Sequence, residues 1–536
     1  MKKVIYGPPG SGKTETAIGI AEEAMKTGAK ISDFTISTFR KQLAASMKKR
    51  LEEKIGEAGK DNYIGTTHSI CKKLLGGNLV KVADTDEKTK FCAMFGVKYD
   101  PSWDRSKEGR LRMEPIYANE PRGNQLFAVY DYSANNMVSV KEALFQAPMD
   151  EHARQTITTW EVERFAVKWD EYKAEAGVMD FSDMMRQVLK QELSPGTKYL
   201  IEDEFHDKTP LQYAVYKIWE KHSEMVVVLG DPLQAIYGFW GTSPQFFMKE
   251  KKEADEYVEL GKSWRFGPNL WEYAKKILRR EGMNPPDMEC MGETIISKMS
   301  WEEFKQEILK FENNNCAYLV RANKSKEIIA DVLSFHGIVH GEIRGSSIDL
   351  YNAVCDMKKR LPRLSLLGVQ GSIRVAASHA KEIVEHFPRE CFTRTKHDMK
   401  NELTPDITSY VLSITPRVVT VLNKPFVDLK NLSTKRKANL IKIFEKRKGR
   451  PIDNISAHNI DTIHAKKGGE EDVVFLFDDI PPLVYKTADK ANEARIYYVG
   501  VTRTKKELIV VHGPTKELSY PLPAIPTKCY GGKTDG

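Results

Sequence analysis

Gly7-Pro8-Pro9-Gly10-Ser11-Gly12-Lys13-Thr14 follows directly on the short apolar run Val4-Ile5-Tyr6. It precedes a helix-forming stretch, Glu15 to Lys26. The pattern G-x-x-x-x-G-K-[ST] between a strand and a helix is a phosphate-binding P-loop. Gly10 and Gly12 let backbone N–H groups close around phosphate oxygens, and the helix N-terminus adds its dipole. Lys13 supplies a cation for the terminal phosphates, and the Thr14 hydroxyl a ligand for Mg²⁺. Few folds accept such a loop: it must leave the carboxyl end of a strand in an open parallel α/β sheet.

A P-loop site needs a carboxylate at the end of a second apolar strand. Lys198-Tyr199-Leu200-Ile201-Glu202-Asp203-Glu204 provides it, with Asp203 placed to hold Mg²⁺ and Glu204 to polarise the attacking water. Met225-Val226-Val227-Val228-Leu229-Gly230-Asp231 reads as a third buried strand with a polar end, followed by Pro232-Leu233-Gln234. Strands alternating with helical stretches indicate a parallel sheet with helices on its faces.

Composition excludes several other classes. Of 536 residues, 41% are hydrophobic and 10% aromatic, too many for a disordered chain. No apolar run approaches the ~18 residues of a membrane span. The 7 cysteines are odd in number and never in C-x-x-C spacing, which points to a reducing, cytoplasmic setting and not to a disulfide scaffold or zinc site. The net charge of +8 is unevenly spread. Residues Ser346 to Pro451 hold 21 Lys and Arg against 10 Asp and Glu, an excess of 11, leaving −3 for the rest of the chain. The densest part, Lys435 to Arg450, carries Leu440, Ile441 and Phe444 at helical spacing, which predicts a helix with one apolar and one basic face.

The order of motifs resembles the UvrD/Rep/PcrA group of superfamily 1 DNA helicases. Thr35-Ile36-Ser37-Thr38-Phe39-Arg40 resembles motif Ia, and Ile64-Gly65-Thr66-Thr67-His68-Ser69 the "GTFHS" segment. Met179-Asp180-Phe181-Ser182-Asp183 is similar to "DFDDLL", and Asp203-Glu204-Phe205-His206-Asp207 to "DEFQD", with His206 in place of Gln. Gly230 to Gly241 resembles motif III, with Trp240 where Arg is usual, and Ser263-Trp264-Arg265-Phe266 resembles motif IV. Thr462 to Glu470 resembles motif V, and Glu493 to Lys505 motif VI.

The resemblance implies an α/β protein of two RecA-like P-loop NTPase cores, each with an inserted, mainly helical subdomain. The first core would comprise 1–75 and 158–260 with its insert at 76–157. The second would comprise 261–345 and 452–536, with the basic insert at 346–451. It implies ATP and Mg²⁺ in the cleft between cores. Lys13, Glu204, Gln234, Arg265 and Arg503 would be catalytic, the two arginines by stabilising transition-state charge, worth roughly 10³–10⁵ in rate. Trp264 would stack on adenine and Glu470 contact the sugar. Only six residues precede Gly7, with no counterpart to the family's adenine-recognising stretch, so loose base selectivity is expected.

Single-stranded DNA would lie against Thr38, Phe39, His68, Tyr237, Phe239, Trp240 and His464, the aromatics stacking on bases in a sequence-tolerant way. Junctions of single- and double-stranded DNA would be the working substrate, and the basic insert would meet the duplex. The resemblance implies 3′→5′ movement in replication, repair or recombination, with accessory replication or repair proteins as partners and no membrane. The alternative is a DNA-stimulated ATPase that remodels protein–DNA complexes without separating strands. The compact form resembles helicases encoded by viruses and mobile elements.

Overall fold

The computed structural model describes residues 1–38, 44–45, 48–49, 52, 62–103, 115–238, 241–341, 346–360, 371–404, 407–452, 457–487, 489–513 and 518–525. Two compact units are present: Met1–Glu293 with Leu483–Thr502, and Thr294–Pro482 with Arg503–Gly536.

The first unit is built on a sheet of six parallel strands: β1 (Lys2–Tyr6), β2 (Phe34–Ser37), β3 (Tyr63–Gly65), β4 (Tyr199–Glu202), β5 (Met225–Gly230) and β6 (Glu256–Glu259). Their order is β3-β2-β4-β5-β1-β6. Val226 to Leu229 of β5 and Leu200 and Ile201 of β4 are buried continuously, because helices cover both faces of the sheet. One face packs against Ala17, Ile18 and Ala21 of the helix Lys13–Lys26, whose apolar positions recur on one side. β1 and β4 flank β5, so the carboxyl ends of all three converge. A two-residue parallel pair, β7 (Lys262–Ser263) with β8 (Glu289–Cys290), follows.

The same unit contains a helical region. Helices Thr85–Phe95, Arg122–Asn136, Val140–Gln146, Glu151–Thr156 and Thr159–Ala176 enclose a core that includes Phe91, Phe127, Phe165 and Trp169. The rings meet mostly edge to face, as at Phe127 and Phe165, 4.9 Å and 81° apart.

The second unit has a five-stranded parallel sheet of β9 (Ile295–Met299), β10 (Cys316–Val320), β13 (His458–Thr462), β14 (Glu471–Phe477) and β15 (Thr504–Val511), in the order β13-β10-β14-β15-β9. Between β10 and β13 in sequence lies a separate core. There β11 (Gly371–Ala376) pairs antiparallel with β12 (Ser409–Ile414) and packs with helices Ser346–Lys359, Ala377–His386, Arg417–Asn423 and Thr434–Lys446. The basic stretch is thus a helix over Thr434–Lys446, with Leu440 and Ile443 in this core. Among the described residues no helix is long and apolar enough to cross a membrane.

Candidate active site

The chain leaves β1 at Gly7, whose N–H donates to the Gly230 carbonyl at 3.0 Å. Gly10 and Gly12 then adopt φ of 74° and 82°, a left-handed region that favours glycine. Gly10 has a second constraint: a Cβ there would lie 2.6 Å from both Arg265 Cβ and Ser263 Oγ. The Lys13 ammonium donates to the Gly7 carbonyl at 2.7 Å, folded back over the loop.

Asp203 continues from β4, and its N–H donates to the Ser37 carbonyl at 2.9 Å. Its carboxylate accepts from the Thr14 hydroxyl at 3.1 Å. A hydroxyl and a carboxylate side by side are the hard-oxygen donors Mg²⁺ prefers, so the residues fit that ion. Asp203 is 2% exposed. Burial, then the neighbouring Glu204 charge, push its pKa up to about 6, with Lys13 opposing. Glu204 has φ of 54°, which turns the chain sharply after the strand.

Two fully buried residues tie this corner to β5. His206 Nδ1 accepts the Asp231 N–H at 2.9 Å, and His206 Nε2 lies 3.2 Å from Glu204 Oε2. The Asp231 carboxylate accepts the Gln234 side-chain amide at 2.8 Å and the Leu233 N–H at 3.0 Å. Burial holds Arg495 below the usual guanidinium range, with the Asp489 and Asp231 charges opposing. Neither His206 nor Arg495 was assigned a role from sequence. The available signals were the His-for-Gln replacement beside Glu204 and an arginine inside the motif VI stretch.

The end of β7 and the residues after it bond to the P-loop. Ser263 Oγ donates to the Pro9 carbonyl at 3.0 Å, and the Trp264 N–H to the Gly10 carbonyl at 3.0 Å. Trp264 is 66% exposed. Arg265 Nη1 donates to the Thr502 carbonyl at 2.9 Å, at the end of the helix Lys490–Val501. Lys13, Thr14, Asp203, Glu204, Gln234, Trp264 and Arg265 therefore lie in one compact unit.

Of the expected DNA contacts, Phe39, Phe239 and Trp240 lie outside the described residues. His68 is half-buried, its ring edge-on to Phe181 at 5.4 Å. Tyr237, in the apolar run Ala235-Ile236-Tyr237, is 0% exposed. Thr38 and His464 are likewise almost wholly covered.

Arg503 and Glu470 belong to the second unit. Arg503 is buried and donates through Nη1 to the Gly469 carbonyl at 3.3 Å. Glu470 is exposed, 3.7 Å from the Lys505 ammonium. The nearby Lys466 ammonium donates to Glu471 at 2.5 Å.

A family model described as the UvrD/REP helicase N-terminal domain matches residues 2–255, and one described as the UvrD-like helicase C-terminal domain matches residues 419–513. The ATP-dependent DNA helicase srs2 of Schizosaccharomyces pombe is 23% identical over 64% of this chain and 40% of its own. The probable DNA helicase II homolog of Mycoplasma pneumoniae is 21% identical over 97% of this chain and 83% of its own. The ATP-dependent DNA helicase PcrA of Staphylococcus epidermidis is 20% identical over 58% of this chain and 44% of its own. The matched region thus spans less than half of the first and third relatives, and most of the second. With both family models matched in order along a P-loop chain of parallel sheets, this protein belongs to the UvrD-like helicases and its two main sheets are those of RecA-like domains.

Proposed function

We propose that the protein is an ATP-driven motor that moves 3′→5′ on single-stranded DNA and separates the duplex ahead of it, in replication, repair or recombination. The observation that carries this reading is the assembly of the P-loop, Asp203, Glu204, Gln234 and Arg265 at the carboxyl ends of β1, β4 and β5.

Lys13 turns from the Gly7 carbonyl to the β- and γ-phosphates when nucleotide enters. Thr14 and Asp203 hold Mg²⁺, which when bound neutralises phosphate charge. Glu204 accepts a proton from the attacking water. Arg265 stabilises charge on the transferred group, and Arg503 is the second candidate for that task. Trp264 stacks on the base and Glu470 contacts the sugar. Gln234, anchored on Asp231, reports the γ-phosphate to the segment that leads to Phe239 and Trp240. Phe39, Phe239 and Trp240 provide stacking faces and His68 a phosphate contact. Junction DNA and accessory replication or repair proteins are the proposed partners.

ATP hydrolysis measured with and without single-stranded DNA tests the reading. DNA should stimulate the wild type, and Lys13→Ala and Glu204→Gln should each lose at least about 100-fold in kcat. Wild-type turnover by either variant would overturn the site.

A further inference from the structure

We infer that Thr67 is a positioning residue for DNA: its buried hydroxyl, paired with Ser37, ties the turn that carries His68 to the strand ends beside Asp203. The inference rests on His68 being a contact to the DNA strand.

The hydroxyl pair lies between the two sites. β2 runs between β3 and β4, with Ser37 level with Gly65 on one side and Glu202 on the other. The Ser37 carbonyl accepts the Asp203 N–H at 2.9 Å, and the Asp203 carboxylate accepts the Thr14 hydroxyl at 3.1 Å. The Ser37 side chain takes a different partner. Its Oγ is 3.2 Å from Thr67 Oγ1, a hydrogen bond in which one hydroxyl donates to the other. Three hydrogen bonds thus run from Thr14 through Asp203 and Ser37 to Thr67, and His68 is the next residue.

The corner that holds Thr67 is stiff. The helix Thr67–Leu74 starts one residue after β3, and that residue, Thr66, is its N-cap. The Thr66 hydroxyl accepts the Ser69 N–H at 3.3 Å, and its carbonyl accepts the Ser69 hydroxyl at 2.8 Å. Gly65 fits beneath because Ser69 Oγ occupies the place of a side chain: a Cβ there would meet it at 2.2 Å. Thr67 is buried and bonded to β2, whereas His68 is half-buried with its ring edge-on to Phe181. A rotation of this first turn that redirects His68 must therefore break the hydroxyl bond. The aromatic that "GTFHS" carries in place of Thr67 has no hydroxyl and could not make it. Two buried hydroxyls add little net stability over apolar groups of the same shape, so what the pair contributes is direction.

ATP hydrolysis read across concentrations of a single-stranded DNA oligonucleotide tests the inference. Thr67→Val keeps the branched shape and removes the hydroxyl. It should raise the DNA concentration for half-maximal stimulation about 3- to 10-fold, with kcat at saturating DNA within about twofold of wild type. Thr67→Ser keeps the hydroxyl and should stay within about twofold on both. Ser37→Ala removes the partner and should match Thr67→Val, and the double variant should be no worse than either. In a His68→Ala background, Thr67→Val should add nothing. ADP affinity and the thermal transition show that each variant is folded. Wild-type DNA dependence of Thr67→Val or Ser37→Ala, equal losses for Val and Ser at position 67 in folded protein, multiplied losses in the double variant, or a full additional loss in the His68→Ala background would each overturn the inference. Wild-type DNA dependence of His68→Ala alone would instead overturn the assignment of His68 to DNA.

Discussion

Asp203 is placed where a carboxylate is least comfortable: beneath the surface, next to Glu204, with the Thr14 hydroxyl at 3.1 Å. Its pKa, raised to about 6, has a definite sign of consequence. The folded protein without nucleotide takes up a proton that the unfolded chain, with Asp near 3.9, does not. The stabilisation that this proton gives is complete below about pH 4 and is lost as the pH rises through about 6. Ion binding runs the opposite way, since only the carboxylate can ligate Mg²⁺. We expect the increment that Mg²⁺ adds to ADP affinity to be full at pH 8 and to shrink steeply below pH 6. Titrations of ADP with and without Mg²⁺ at pH 5 and pH 8 check this, and an Asp203→Asn variant should show a small increment at both. An undiminished increment at pH 5 would contradict the burial argument.

At the scale of elements, the basic helix Thr434–Lys446 behaves differently from its charge count. Lys442 pairs with Asp331 at 2.8 Å, Arg447 with Glu312 at 3.1 Å, and Lys446 lies over the Phe335 ring at 5.4 Å. Elsewhere in the insert Arg394 pairs with Glu402 and Arg360 with Asp356. Part of the excess of 11 is thus committed within the protein. Lys448 and Arg450, exposed just beyond the helix, have no ion-pair partner among the described residues. If the insert grips duplex, Lys448→Ala with Arg450→Ala should reduce the slope of log affinity against log salt on forked DNA by about 1 per lost phosphate contact. Arg447→Ala should leave that slope nearly unchanged and cost stability of about 0–1 kcal/mol, the scale of a partly exposed pair. Affinity measured across a salt series distinguishes the two. The helix was legible from sequence because Leu440 and Phe444 recur at its period. Its ion pairs were not, because Asp331 and Glu312 lie over a hundred residues away. The strands were legible for a related reason. A buried parallel strand is a continuous apolar run, so Met225 to Leu229 needs no partner to be read, and the carboxylates at the strand ends follow from it. The burial of Tyr237 was not legible, because a motif position does not say which way a ring turns. His206 was seen only as a replacement, since the partner of its Nδ1 is the Asp231 N–H, a backbone group just beyond another strand.

Over the whole molecule, each of the two units is built around its own parallel sheet, and the groups assigned to chemistry are divided between them. Lys13, Asp203, Glu204, Gln234 and Arg265 are in the first unit, and Glu470 and Arg503 in the second. A motor built this way needs nucleotide to favour one arrangement of the units over another, since a ligand that binds both equally shifts nothing. Movement without separation of the strands would give a DNA-stimulated ATPase that strips proteins but leaves duplex intact. Strand separation is therefore the decisive measurement. It is made with ATP on duplexes bearing a 3′ tail, a 5′ tail or no tail, with wild-type protein and with Lys13→Ala. We predict separation of the 3′-tailed duplex by the wild type alone, with the 5′-tailed and blunt duplexes left intact. Separation that requires a 5′ tail, separation by Lys13→Ala, or ATP turnover with no separation of any duplex would contradict a 3′→5′ helicase.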